Sequence, residues 1–341
     1  MAAAPEVPDD LTDDLADDLA DDAPDPGHDG AGVPDAATDG LAVPRDPEAR
    51  HGEGVDAALV LGGGGVFFVA WQVAYLNALV ERGVPLHGVD RIVGTSAGAL
   101  VAAVLGAGKI GRFRTEVGLL ARVPRLLQAL APSSDLRPSQ ERARDVFLAA
   151  EDAEPSTVRA IGHAALSAHT PGPNAMARNV ALVLASRRWP SPSVQITCVD
   201  AYSGERCVVT EDAGVPIARA VAASSAVPGL FPPQPVLDRR CIDGGVSGTG
   251  THLDLVAGAR RVLVVTLTDG EGAEQGAMTV SPTGFRDELA ALEASGAEVV
   301  VRMPETMDLA TLMDPREVPR AVVMGERQAA ADAERLRALL A

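Results

Sequence analysis

Short apolar runs recur from about residue 55 onward, and most are followed by a stretch with helical spacing. The pattern predicts a strand at 57–61, a helix at 66–82 stopped by Gly83, a strand at 89–93 and a helix at 97–107. Residues 111–188 interrupt the alternation. They read as mostly helical, broken at Pro124, Pro132, Pro138, Pro155, Pro171 and Pro173. Leu119, Leu120, Val123, Leu126, Leu127 and Leu130 form an apolar stripe there, read as core rather than as a membrane-docking face. Runs at 194–199 and 207–210 flank Tyr202-Ser203-Gly204-Glu205, a hairpin signal. A helix at 215–224 leads into a Pro-Gly-Leu-Phe-Pro-Pro loop. Strands at 261–267 and 298–302, joined by a helix at 284–295, form a βαβ unit. The first of these is nearly continuous Val and Leu, as in a buried parallel strand. A final helix runs from about 318 to 340, and no whole-domain repeat is visible.

Composition sets the boundaries. Residues 1–54 hold 16 of the 47 acids but only Arg45 and Arg50 of the 29 basic residues, so most of the net charge of −18 lies there. A segment so rich in Asp, Ala, Pro and Gly, with no aromatics, cannot bury enough apolar surface to offset its ordering entropy. It is expected to be a disordered acidic tail. Within it Leu11, Leu15 and Leu19 recur every four residues among paired aspartates. That repeat reads as a solvated low-complexity tail in preference to an amphipathic docking segment. Residues 55–341 then form one large α/β domain, with 111–188 as a helical cap region inside it. An acidic balance argues against nucleic acid as a partner. No apolar run reaches the length of a membrane span, and the first residues carry no secretory leader pattern. Cys198, Cys207 and Cys241 fit reduced thiols, so a cytoplasmic location is expected. No metal-ligand spacing and no cofactor motif is present, so neither a metal nor a cofactor is expected.

Three segments carry chemistry. Gly94-Thr95-Ser96-Ala97-Gly98 is a G-x-S-x-G pattern placed between a strand and a buried helix. Glycine makes up 34 of 341 residues, so the setting counts for more than the five letters. The bland alternative is a serine that merely caps the helix. Leu61-Gly62-Gly63-Gly64-Gly65 follows a strand and precedes a helix, leaving backbone N–H groups free to hold a phosphate or a developing oxyanion. It lacks G-x-G-x-x-G spacing and the Lys-Ser/Thr of a P-loop, so a nucleotide site is the poorer reading. Asp243-Gly244-Gly245 places an acid on a loop that can approach other backbone closely, although Asp-Gly is also an ordinary turn.

In this order the three segments resemble those of patatin-like phospholipases. The likeness continues through 218–233, Ala-Arg-Ala-Val-Ala-Ala-Ser-Ser-Ala-Val-Pro-Gly-Leu-Phe-Pro-Pro, and covers roughly residue 55 to the C-terminus. The resemblance implies a three-layer α/β/α patatin-like fold with a central, mostly parallel sheet. It implies a Ser-Asp dyad in which Ser96 is the nucleophile and Asp243 the base. The amides of Gly63, Gly64 and Gly65 would form the oxyanion hole, with Ala97 as a further donor by elbow geometry. Gly94, Gly98, Gly244 and Gly245 are the small motif positions around them. The implied reaction is hydrolysis of lipid or small acyl esters through an acyl-enzyme, with peripheral membrane contact. A carboxylate of ordinary pKa is a weak base at neutral pH, and burial beside the serine would correct this.

Two alternatives remain at this stage. An α/β-hydrolase triad would need a histidine after the acid; His252 fits that order, while His163 and His169 precede it. A catalytically silent binding or regulatory protein is the other. Phe67 and Phe68 motivate it, because they stand where family members carry a small or basic residue and then glycine. The aromatic pair would either disturb the glycine turn, line an acyl pocket, or pack as core.

Overall fold

The structure is a computed structural model that describes residues 40–46, 48–120, 136–267, 284–307 and 311–341. The acidic repeat and the stripe residues Val123, Leu126, Leu127 and Leu130 lie outside the described residues. Among the described residues an eight-stranded mixed sheet sits between helical layers. Its strands are β1 (Ala57–Leu61), β2 (Arg91–Gly94), β3 (Val194–Asp200), β4 (Arg206–Val209), β5 (Gln234–Val236), β6 (Arg239–Asp243), β7 (Arg261–Val265) and β8 (Glu298–Arg302). Pairing runs β5-β6-β3-β2-β1-β7-β8, with β4 also on β3. β1 is parallel to both neighbours and buried at every residue, which is why it is apolar throughout rather than alternating.

The helices are α1 (Gly65–Glu81), α2 (Ala97–Gly106), α3 (Ile110–Leu120), α4 (Pro138–Leu148), α5 (Pro155–Ser167), α6 (Pro173–Leu184), α7 (Ile217–Ser224), α8 (Gly284–Ala294) and α9 (Val318–Leu340). α1 and α2 are apolar almost all round and lie in the largest core cluster. α9 covers α1: Trp71 Nε1 donates to Gln328 Oε1 at 2.8 Å, and the Tyr75 hydroxyl donates to Asp332 at 2.9 Å. Of the region read as a cap, α3 packs in the same core as α1 through Ile110, Phe113 and Val117. α4 and α5 instead share a separate apolar cluster in which Phe147, Val158 and Ile161 meet Val199 and Ile242 of the sheet.

One detail of the sheet decides where the site forms. β4 lies antiparallel along 196–199 of β3, while β2 pairs with 194–196 and β6 with 198–200. A strand has two edges, so β2 and β6 share the edge opposite β4. Hydrogen-bond parity agrees. Ser193 and Ala201, both odd-numbered, bond to β2 and β6, while Asp200 bonds to Glu205 on the β4 side. β2 therefore climbs to Gly94 opposite Ile196, and β6 descends to Asp243 opposite Cys198. The two strand ends face each other head-on.

Residues read as tail also pack. Leu41 is buried, Ala42 bridges to Cys207, and the Val43 amide donates to Arg206 O at 2.9 Å, extending the sheet beyond β4.

Candidate active site

Ser96 occupies the turn between β2 and α2 with φ 53° and ψ −118°, a region that L residues avoid. It makes no side-chain cap to α2, which removes the capping alternative. Its backbone is held from α7 instead. The Ser96 amide donates to Ser224 Oγ at 2.8 Å, and Ser225 Oγ donates to Ser96 O at 3.3 Å. Gly98 is required by close approach, since a Cβ there would stand 2.0 Å from Leu61 O. Thr95 and Thr197 join their hydroxyls at 2.7 Å, tying β2 to β3 directly beneath the turn.

The glycine run passes beside this serine. A Cβ on Gly63 would lie 3.0 Å from Ser96 Cβ and 3.7 Å from its Oγ. Gly65 starts α1 at φ 70°, where a side chain would also strike Met313 Sδ at 2.7 Å. Among the described residues the amides of Gly63, Gly64 and Ala97 make no hydrogen bond, so N–H groups stand free on two sides of the serine. Phe68 packs against the run itself, since a Cβ on Gly64 would lie 2.7 Å from its Cδ1. Phe67 and Phe68 are both fully buried; the Phe68 ring stacks on Trp71 at 5.5 Å and Arg320 lies over Phe67 at 5.4 Å. Both pack as core, and neither is among the cavity-lining residues.

Asp243, at the end of β6, is 3 % exposed. Its Oδ1 accepts the Gly245 amide at 2.8 Å, while Oδ2 is buried without a closed hydrogen bond. Burial pushes its pKa up to about 7, against smaller lowering effects from the Gly245 amide and the Ser96 hydroxyl. The hydroxyl is thus a close neighbour of the carboxyl, although the bond between them is not drawn tight. Loose geometry of this kind is ordinary before substrate enters. The register explains the proximity, because these residues cap the two strand ends that face each other on β3.

Ser96 opens into a cavity of about 750 Å³. Its walls are mostly apolar, with Val66 and Val69 from α1, Leu100 from α2, Val180 and Val183 from α6, and Val221 from α7. Arg137, Gln140 and His169 give it a polar border on the cap side.

The histidines are placed as follows. His163 is exposed on α5, and His169 is exposed at the cavity border with its amide bonded to Ser139. His252 is completely buried. Its Nε2 lies 3.1 Å from Gly244 O and its Nδ1 3.4 Å from Arg206 Nη1. Burial, reinforced by Arg206, drives its pKa down to about 3, so the ring is neutral. No histidine is among the groups acting on Asp243, and the triad alternative has no support here. Sequence reasoning missed Ser224 and Ser225, which lie inside the Ala-Ser-Ser-Ala segment but show no role until α7 is docked. It also missed the meeting of Cys198, Cys207 and Cys241, whose sulfur atoms lie within 4.8 Å of one another in the core. Such a set of soft ligands could hold a thiophilic ion, and their scattered spacing gave no sign of it.

No protein of curated function matches the chain. Among solved structures it is similar to VipD from Legionella pneumophila, with 15% identity and a TM-score of 0.40, covering 82% of this chain and 67% of VipD. It is also similar to ExoU, in complex with SpcU from the type III secretion system of Pseudomonas aeruginosa, with 19% identity and a TM-score of 0.38, covering 98% of this chain and 62% of ExoU. The chain thus spans less than two thirds of ExoU. The family described as Patatin-like phospholipase matches residues 59–254, well over half of the 341. With glycine turn, serine elbow and Asp-Gly-Gly all inside that span, the chain belongs to the patatin-like phospholipase family.

Proposed function

We propose that this protein hydrolyses the acyl esters of lipids, with Ser96 as nucleophile and Asp243 as its base. One observation carries the proposal: a buried carboxylate oxygen without a closed bond, beside the hydroxyl of a strained elbow serine at the floor of an apolar cavity. An alcohol attacks an ester only as its proton departs, and a carboxylate with a pKa near 7 is well matched to accept it at neutral pH. As Ser96 Oγ bonds to the carbonyl carbon, the proton passes to Asp243 Oδ2 and negative charge collects on the carbonyl oxygen. The free amides of Gly63, Gly64 and Ala97, with the first amide of α1 at Gly65, supply donors for that oxygen. Collapse expels the alcohol, which takes the proton back from Asp243. Water then repeats the sequence on the acyl-enzyme.

The apolar walls favour a lipid acyl group over a small polar one. Entry from a membrane surface, by peripheral contact, belongs to the same proposal. Among the described residues no helix is long and apolar enough to cross a membrane. The burial of Phe67 and Phe68 supports the enzymatic reading over the silent alternative, and the labelling experiment below distinguishes the two. The test uses purified protein, a nitrophenyl acyl ester and a fluorophosphonate probe. Ester turnover and labelling at Ser96 are expected, both lost in Ser96→Ala. Absence of label on the folded parent protein would remove the proposal.

A further inference from the structure

Oδ1 of Asp243 is held by the amide of Gly245, whose peptide unit also contains the carbonyl of Gly244. That carbonyl accepts from His252 Nε2 at 3.1 Å and from the Ser247 amide at 3.2 Å. The opposite end of the unit, Gly245 N–H, donates to Asp243 Oδ1 at 2.8 Å. A peptide is planar, and its C=O and N–H point in opposite directions. Fixing the oxygen therefore fixes where the N–H aims. Gly244 and Gly245 have no side chains to do this for themselves.

The ring is in turn held in one tautomer. Arg206 carries only donors, so its approach to His252 Nδ1 at 3.4 Å makes Nδ1 the acceptor and leaves the proton on Nε2. Arg206 has no slack. Nη1 and Nη2 each reach an Asp254 oxygen at 2.7 Å, Nε donates to Val43 O at 2.9 Å, and Nη2 also donates to Pro44 O at 3.1 Å. The charged groups acting on His252 are Arg206, Asp254 and Arg45, and none acts on Asp243 directly.

We infer that His252 is a positioning residue, which orients the Asp243 carboxylate through the Gly244–Gly245 peptide and leaves Oδ2 turned to Ser96. The inference rests on the reading of Ser96 and Asp243 given above. His252 transfers no proton itself, because its one N–H is committed to a backbone oxygen.

The experiment measures kcat and KM against pH for the parent, His252→Phe, His252→Gln and Asp243→Asn. Phenylalanine keeps the ring volume and removes the donor. Its kcat is expected to fall by about ten- to a hundredfold with KM within about twofold, the scale of a displaced reacting group. The acid limb of kcat/KM is expected to move to higher pH, because the carboxylate loses a donor that lowers its pKa. Glutamine, which restores an N–H, should return both. A merely structural role would lower the active fraction without moving the limb. If His252→Phe does not fold, His252→Asn, whose amide is too short to reach, is read in its place. An unmoved limb with kcat within about twofold of the parent, in whichever variant folds, overturns the inference. Asp243→Asn separates the two readings. If it is fully active, the dyad itself falls; if it is inactive while His252→Phe behaves as the parent, only the role of His252 falls.

Discussion

The two residues of the proposed dyad arrive from unlike halves of the sheet. Ser96 comes from the parallel half, β2-β1-β7-β8, where the buried strands β1 and β2 feed helices through tight glycine turns. Asp243 comes from the antiparallel half, where β3, β4, β5 and β6 form hairpins and the acid simply ends a strand. The first half builds its residue largely on one turn, since the elbow, the Ala97 amide and the α2 N-terminus lie within a few residues of one another, while the Gly63 and Gly64 amides come from the neighbouring β1–α1 turn. The second half builds its residue by assembly: β6 must pair with β3, the Gly244–Gly245 peptide must be pinned, and Arg206 must grip residues 43 and 44. Ser96 thus owes its conformation to one strand-to-helix turn with a brace from the end of α7, and Asp243 owes its setting to a wider tertiary network.

Variants can break this comparison from either side. The largest effect is expected at the chemistry itself. Ser96→Ala and Asp243→Asn should each reduce ester turnover by about a thousandfold or more, as removal of members of a hydrolytic constellation does. If one were far milder, the halves would not act as a unit. Next comes the network. Arg206→Met strands Asp254, whose pKa is now held below the ordinary carboxylate value by Arg206 against the opposing effect of burial. A cost of about 3–5 kcal/mol in urea unfolding is expected. Residues 40–46 should also become open to protease, while the elbow stays intact to the fluorophosphonate probe.

The third concerns Asp243 as a burden on the fold. Its pKa rises from 3.8 to about 7 on folding, so between those values the folded chain keeps a proton that the unfolded chain has released. Stability therefore falls as pH rises across that window and levels off above it. Asp243→Asn should unfold later than the parent at pH 8, by up to about 4 kcal/mol, with the difference vanishing near pH 4. His252 has the opposite sign. Its pKa falls from 6.5 to about 3, so it contributes stability above 6.5 that is lost as pH drops through that window. A fourth prediction is kinetic: kcat/KM should rise about tenfold per pH unit below 7 and reach a plateau above it. The smallest effect tests the aromatics. Phe68→Leu should cost about 1–2 kcal/mol of stability and leave KM unchanged, because that ring stacks on Trp71 away from the cavity.

Legibility in the sequence follows the same division. β1, the glycine turn and the elbow were readable because their signals are contiguous, and parallel burial leaves an unbroken apolar run. β5 and most of β6 were not, since Gln234-Pro235-Val236 and Arg239-Arg240 carry no apolar alternation. α3 was grouped with the cap because its helical pattern continues into the next segment, whereas its packing partner is α1. Asp243 was legible only as part of an ordered set of motifs, since its burial depends on β3. His252 was visible as a titratable residue after the acid and was weighed as a base. Its bond to Gly244 O depends on a left-handed backbone at φ 53° that the sequence does not announce.

Ser96 itself sits at a backbone angle where glycine would rest more easily, and a side chain there costs on the order of 1 kcal/mol or more. Ser96→Gly ought therefore to give a hardier, inert molecule.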